Sequence, residues 1–91
     1  MVKVKFPSIL AKTTRGETAI TVSASTVTEA LDQLVTRYGQ SFKEKILDPG
    51  GKPKRFLNFY VNGKNIQFLE YLDTSISDAD ELTILPSVTG G

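Results

Sequence analysis

Thr26-Val27-Thr28-Glu29-Ala30-Leu31-Asp32-Gln33-Leu34-Val35-Thr36-Arg37-Tyr38-Gly39 is the stretch on which the fold turns. Thr26 and Glu29 have the spacing of a capping box, in which the hydroxyl accepts from the Glu29 amide while the carboxylate reaches back. Val27, Ala30, Leu31, Leu34, Val35 and Tyr38 recur at helical spacing, and Gly39 supplies a left-handed stop. A helix with one apolar stripe needs one apolar surface to lie on.

Strands on both flanks supply that surface. Val2-Lys3-Val4-Lys5-Phe6 alternates apolar and basic residues, the period of a strand with one buried face, and Pro7 ends it. Residues 11–16 read as a loop turning at Arg15-Gly16. Residues 18–23 return as a second strand, with Ile20 and Val22 on one face. Beyond the helix, residues 41–47 add a short helical segment with Phe42, Ile46 and Leu47 turned inward. Two prolines and two glycines make 48–55 a surface loop. Residues 56–61 are aromatic and β-branched, and Asn62-Gly63 then offers the strongest short hairpin signal. Residues 64–68 are expected as a short return strand, and 72–76 as a connecting turn in which Leu72 and Ile76 plug the core. Asp78-Ala79-Asp80 turns into a last strand over 81–85, closed by Pro86. The expected class is α+β: a mixed four- or five-stranded sheet cradling one main helix, the β-grasp solution. Whether the first and last strands run parallel is not set by this pattern.

Composition narrows the chemistry. The chain has 91 residues, enough for one small domain, with 40% hydrophobic and 23% charged residues. Eleven Lys and Arg against ten Asp and Glu give a net charge of +1, which argues against nonspecific nucleic-acid binding. With 0 Cys and 0 His there is no thiolate nucleophile, no disulfide and no imidazole base or metal ligand. Asp78 and Asp80 fit turn formers better than a metal pair, so no metal site is expected. Met1 to Phe6 is too short and lysine-rich for a signal peptide, and no apolar run suits a membrane. The expectation is a cytoplasmic monomer that is not an enzyme.

The tail carries the chemistry instead. Residues 1–86 read as the folded domain and 87–91 as a C-terminal tail ending in Gly90-Gly91. Five extended residues reach roughly 17 Å. Two residues without side chains pass where a Cβ would not. The unusual group there is the Gly91 α-carboxylate, ionised at neutral pH with a pKa of about 3.3–3.7 and a poor electrophile until activated. Nothing in the chain resembles a P-loop or a nucleophile–base pair, so activation falls to another protein.

Thr83-Ile84-Leu85-Pro86-Ser87-Val88-Thr89-Gly90-Gly91 resembles the C-terminus of the ThiS/MoaD sulfur carriers, ubiquitin-like proteins of β-grasp fold. Leu47-Asp48-Pro49, Arg55-Phe56-Leu57-Asn58-Phe59-Tyr60-Val61-Asn62 and Asp78-Ala79-Asp80 resemble the CysO branch. The resemblance implies adenylation of Gly91 by a MoeB/ThiF-type enzyme that uses ATP, with no cofactor bound to the carrier itself. Conversion to a thiocarboxylate follows. In the CysO branch the sulfur passes to a cysteine synthase acting on an activated serine, and a metalloprotease frees the cysteine. Other branches serve molybdopterin synthase or attach the tail to lysines, and a plain interaction module stays open. Pro86 is followed by Ser87, where molybdopterin-synthase subunits often carry a second proline, and the 48–55 loop lengthens the chain. Both favour the CysO branch.

Gly91 is therefore the residue expected to be modified, and Gly90 the one that gives clearance. Phe56 and Tyr60, facing opposite to Leu57, Phe59 and Val61, would form a docking patch with Leu85 at the base of the tail. The alternative is ordinary cross-strand packing beneath the 48–55 loop.

Overall fold

A computed structural model describes residues 1–86. The strands are β1 (Val2–Lys5), β2 (Ala19–Val22), β3 (Leu57–Val61), β4 (Lys64–Asn65) and β5 (Glu81–Pro86), with helices α1 (Val27–Tyr38) and α2 (Gln40–Ile46) between β2 and β3. The sheet order is β2-β1-β5-β3-β4. β1 pairs antiparallel with β2 and parallel with β5, while β3 pairs antiparallel with β5 and β4. This is the β-grasp arrangement, a five-stranded mixed sheet with its helices across one face.

The alternation of β1 is realised in full: Val2 and Val4 are completely buried, and Lys3 and Lys5 point to the opposite face. α1 buries Val27, Ala30, Leu31, Leu34 and Tyr38 against that inner face, whereas Val35 at the stripe's margin is half-buried. The Thr26 hydroxyl accepts from the Glu29 amide at 3.2 Å. The Glu29 carboxylate reaches one residue further back than a capping box requires, accepting from both the amide and the hydroxyl of Ser25 at 2.8 Å. Those bonds, the backbone one foremost, hold its pKa below the usual carboxylate value. Gly39, at φ 90°, ends α1 and begins α2, a reversal any side chain would strain. α2 then drops Phe42 and Ile46 into the core, and Phe42 packs with Phe6 and Tyr38 as an aromatic trio at 5.3–6.1 Å between centroids.

Two strand expectations are corrected, and the connecting turn gains detail. The return strand over 64–68 stops at Asn65, because the Asn65 side chain accepts from the Gln67 amide and turns the chain into a short 3-10 helix, Ile66–Phe68. Ile66 is buried there, while Phe68 is 78% exposed. The connecting segment opens with a 3-10 turn at Tyr71–Asp73 whose first residue, Tyr71, is left-handed at φ 54°, for which a tyrosine gives no sequence signal. Ile76 plugs the core as expected, with Leu72 partly buried beside it. The third strand begins at Leu57, leaving Phe56 in the turn before it.

Candidate functional site

β5 is the strand that leads toward the C-terminus, and it lies in the middle of the sheet. Leu82 and Ile84 are fully buried against the helices, so Glu81, Thr83 and Leu85 face outward. Its start is clamped. The Asn62 amide donates to Asp80 Oδ1 at 2.9 Å, and Asn62 Oδ1 accepts from the Glu81 amide at 2.9 Å. The Ser77 amide donates to the other Asp80 oxygen, also at 2.9 Å. Asn62 first, and then Ser77, keep the Asp80 carboxyl below its usual pKa. The Asn62-Gly63 turn thus does more than reverse the chain, because it also fixes where β5 begins. Asp78, far out in solvent, meets the Met1 amino group at 3.2 Å.

The end of β5 is equally well defined. Asn62 donates its backbone N–H to Glu81, so along β3 the residues in step with it, Tyr60 and Asn58, bond β5 while Leu57 turns its polar groups away. Pro86 lies opposite Leu57, where the ladder asks nothing of either residue. The N–H that proline lacks would have pointed toward β1, which has already ended at Lys5. The strand closes at Pro86 without an unmet donor.

On the outer face, Leu85 is level with Asn58 and Tyr60 with Thr83, so Leu85 and Tyr60 are diagonal neighbours, roughly 7–8 Å apart. Phe56 is 46% and Leu85 44% exposed, and Tyr60 is half-buried. Leu85 and Phe56 thus lie at the end of the sheet where β5 stops, Phe56 presented by a turn rather than by the pleat, while Tyr60, level with Thr83, sits one diagonal step inward along β3. Toward β1 the same face becomes polar: Lys3 is level with Glu81 and Lys5 with Thr83, and Lys5 meets Glu81 at 3.4 Å. Gly90 and Gly91 lie outside the described residues. Among the described residues no three His, Cys, Asp or Glu side chains converge as a metal site would require.

A second polar cluster sits at the far end of α1. The Tyr38 hydroxyl donates to Glu17 at 2.6 Å and the Arg37 guanidinium to both Glu17 oxygens at 3.1–3.3 Å. Tyr38 first, then Arg37, hold the Glu17 pKa down, and burial pushes the Tyr38 pKa up. The cluster ties the loop before β2 to the helix, beside Phe6 at the end of β1. The sequence gives no spacing signal for it, since the partners are about twenty residues apart.

Known proteins share this fold and much of the sequence. The ThiS family matches residues 4–91. Sulfur carrier protein CysO of Mycobacterium tuberculosis is 38% identical over 92 residues, spanning 99% of this chain and 98% of its own. The crystal structure of that CysO superposes with a TM-score of 0.88 at 37% identity, over 97% of this chain and all of the other. A chain of the Amycolatopsis orientalis BexX/CysO complex gives 0.86 at 36% identity, covering 100% of both. Small archaeal modifier protein 1 of Methanosarcina acetivorans gives 0.84 at 33%, covering 99% of this chain and 95% of its own. The chain belongs to the ThiS family, as a CysO-like protein of β-grasp fold.

Proposed function

We propose that this chain is a sulfur carrier whose working group is the Gly91 carboxyl. The observation that carries the reading is the family match itself, which runs through the terminal Gly90-Gly91 pair. In the first step a Gly91 carboxylate oxygen attacks the α-phosphorus of ATP in a MoeB/ThiF-type enzyme, and pyrophosphate leaves. In the second, a sulfur nucleophile adds to the acyl carbon and expels AMP, leaving a thiocarboxylate. The thiocarboxylate sulfur then displaces the leaving group, phosphate in the case of O-phosphoserine, from the β-carbon of an activated serine bound by a cysteine synthase, leaving the new cysteine acylated by Gly91. A metalloprotease finally releases the new cysteine. The carrier is a co-substrate in all of these steps, and its own side chains supply docking and clearance. Phe56, Tyr60 and Leu85 are the docking residues on this reading: Phe56 and Leu85 are exposed near the end of β5, and the half-buried Tyr60 lies diagonally inward from Leu85. Gly90 is the residue that passes the partner's channel.

The test is intact mass spectrometry of the protein from its own host, or after incubation with ATP, an activating enzyme and a sulfur source. A thiocarboxylate replaces one oxygen by sulfur. That exchange is expected in the native chain and absent once Gly91 is deleted. Exchange retained in the deletion overturns the reading, as does a native chain that never loads.

The likeness to small archaeal modifier protein 1 favours a second reading, attachment of the same carboxyl to lysines of other proteins. Isopeptide-linked conjugates running as a ladder on denaturing gels would distinguish it.

A further inference from the structure

Among the described residues, nothing blunts the β2 edge of the sheet. β2 has β1 as its one strand neighbour. The Phe6 amide donates to the Thr18 carbonyl, and the β1–β2 register continues from there. Antiparallel strands direct N–H and C=O to alternate sides residue by residue, so Ile20 and Val22 bond β1 while Ala19 and Thr21 present both groups outward. Thr21 is exposed and Ala19 half-exposed, leaving those groups within reach. The strand Ala19-Ile20-Thr21-Val22 is β-prone and carries no charge and no proline, the usual protections of an edge.

Charge selects what the edge accepts. The hairpin region carries Lys3, Lys5, Lys12 and Arg15 against a single carboxylate, Glu17, although the whole chain is nearly neutral at +1. Glu17 is itself consumed by Arg37 and Tyr38. On the outer face Lys3 is level with Thr21 and Lys5 with Ala19, small side chains over which a lysine stem can lean toward an added strand about 10 Å from β1. Lys5 is engaged with Glu81, and Lys3 forms no ion pair among the described residues. On the inner face Ile20 is only half-buried, so an apolar side chain of the added strand would complete its cover. A second copy pairing β2 to β2 would set two basic hairpins against each other, and the charge disfavours it.

We propose that the free edge of β2 is a strand-addition site for an extended segment of a partner protein that alternates apolar and acidic residues, its carboxylates toward Lys3 and its apolar side chains toward Ile20. The site is separate from the end of β5 and does not depend on the tail's chemistry.

The probe is a capped hexapeptide alternating valine and glutamate, titrated into the full chain and followed by amide NMR and hydrogen exchange. Shifts and slowed exchange are expected at the Ala19 and Thr21 amides. Three changes should each weaken binding about tenfold or more: replacing the peptide's glutamates by lysine, N-methylating its alternate amides, and Lys3→Glu. Thr21→Pro removes an outward donor without touching the β1 ladder, and should abolish the exchange protection while the rest of the spectrum shows the fold intact. The proposal is overturned if millimolar peptide leaves these amides unmoved, if shifts are confined to Phe56, Tyr60 and Leu85, or if the lysine peptide binds equally. Concentration-dependent shifts at β2 without peptide overturn it in favour of self-pairing.

Discussion

β5 and β2 both flank β1, yet they stand at opposite extremes of the same sheet. β5 is hydrogen-bonded on both sides and buries Leu82 and Ile84 completely, whereas β2 has one neighbour and leaves Ile20 half-buried. The rigid strand leads to the segment carrying the carboxyl proposed to react. The open strand runs on into α1 and presents its own backbone along one side. On the proposed function, the contrast separates two demands on a carrier: a firm base for a tail that would enter a partner's active site, and a surface that can be engaged and released.

The sharpest way to break that contrast is to cut into β5. Ile84→Ala should cost about 2–5 kcal/mol in urea unfolding, because the residue is wholly buried with neighbours on every side. Asn62→Ala should cost about 1–2 kcal/mol, since it loosens the clamp on Asp80 and Glu81 and forces an alanine into φ 52°. Asn62→Gly separates the two terms by restoring the backbone freedom without the side-chain bonds. Ile20→Ala, on the half-buried strand, should cost about 1 kcal/mol. If Ile20→Ala proves as damaging as Ile84→Ala, the two strands are not the opposites described.

The smallest expected effect is the acid limb at β2's approach. Glu17 ionises more readily folded than unfolded, so its contribution to stability is present above its ordinary value of 4.5 and is lost as the pH falls through the lower folded value. Tyr38→Phe removes the foremost cause of the shift and should flatten the decline as the pH falls below 4.5, read as the urea midpoint against pH. An unchanged slope would show that the Tyr38 bond does not set the titration.

What was legible follows the range of each interaction. The capping residues, the Val27–Tyr38 stripe, the alternation of Val2 and Val4 and the Asn62-Gly63 turn are decided within a few positions of themselves, and each is found where its pattern placed it. The expected strand over 64–68 failed because one side-chain acceptor, Asn65, outcompeted a β-prone run. Phe56 slipped out of β3 because a bond from the Leu57 amide to the Lys54 carbonyl holds the chain in a turn there. Strand order, the parallel β1–β5 pairing and the Glu17–Arg37–Tyr38 cluster join distant segments, and no local pattern encodes them. The candidate site divides the same way. The terminal glycines and the residue types of the outer face are read directly, but that Tyr60 is a diagonal neighbour of Leu85, with Phe56 just beyond the end of β5, depends on the β3–β5 register.

The parallel pairing of β1 with β5 has a practical corollary. Lys3 is level with Glu81, so Met1 sits beside the beginning of β5, and Pro86 lies about 20 Å away at the other rim. An affinity tag, dye or solid support joined ahead of Met1 is thereby held on the side remote from the outgoing peptide. Immobilised that way, the protein keeps the rim at Pro86 turned from the support.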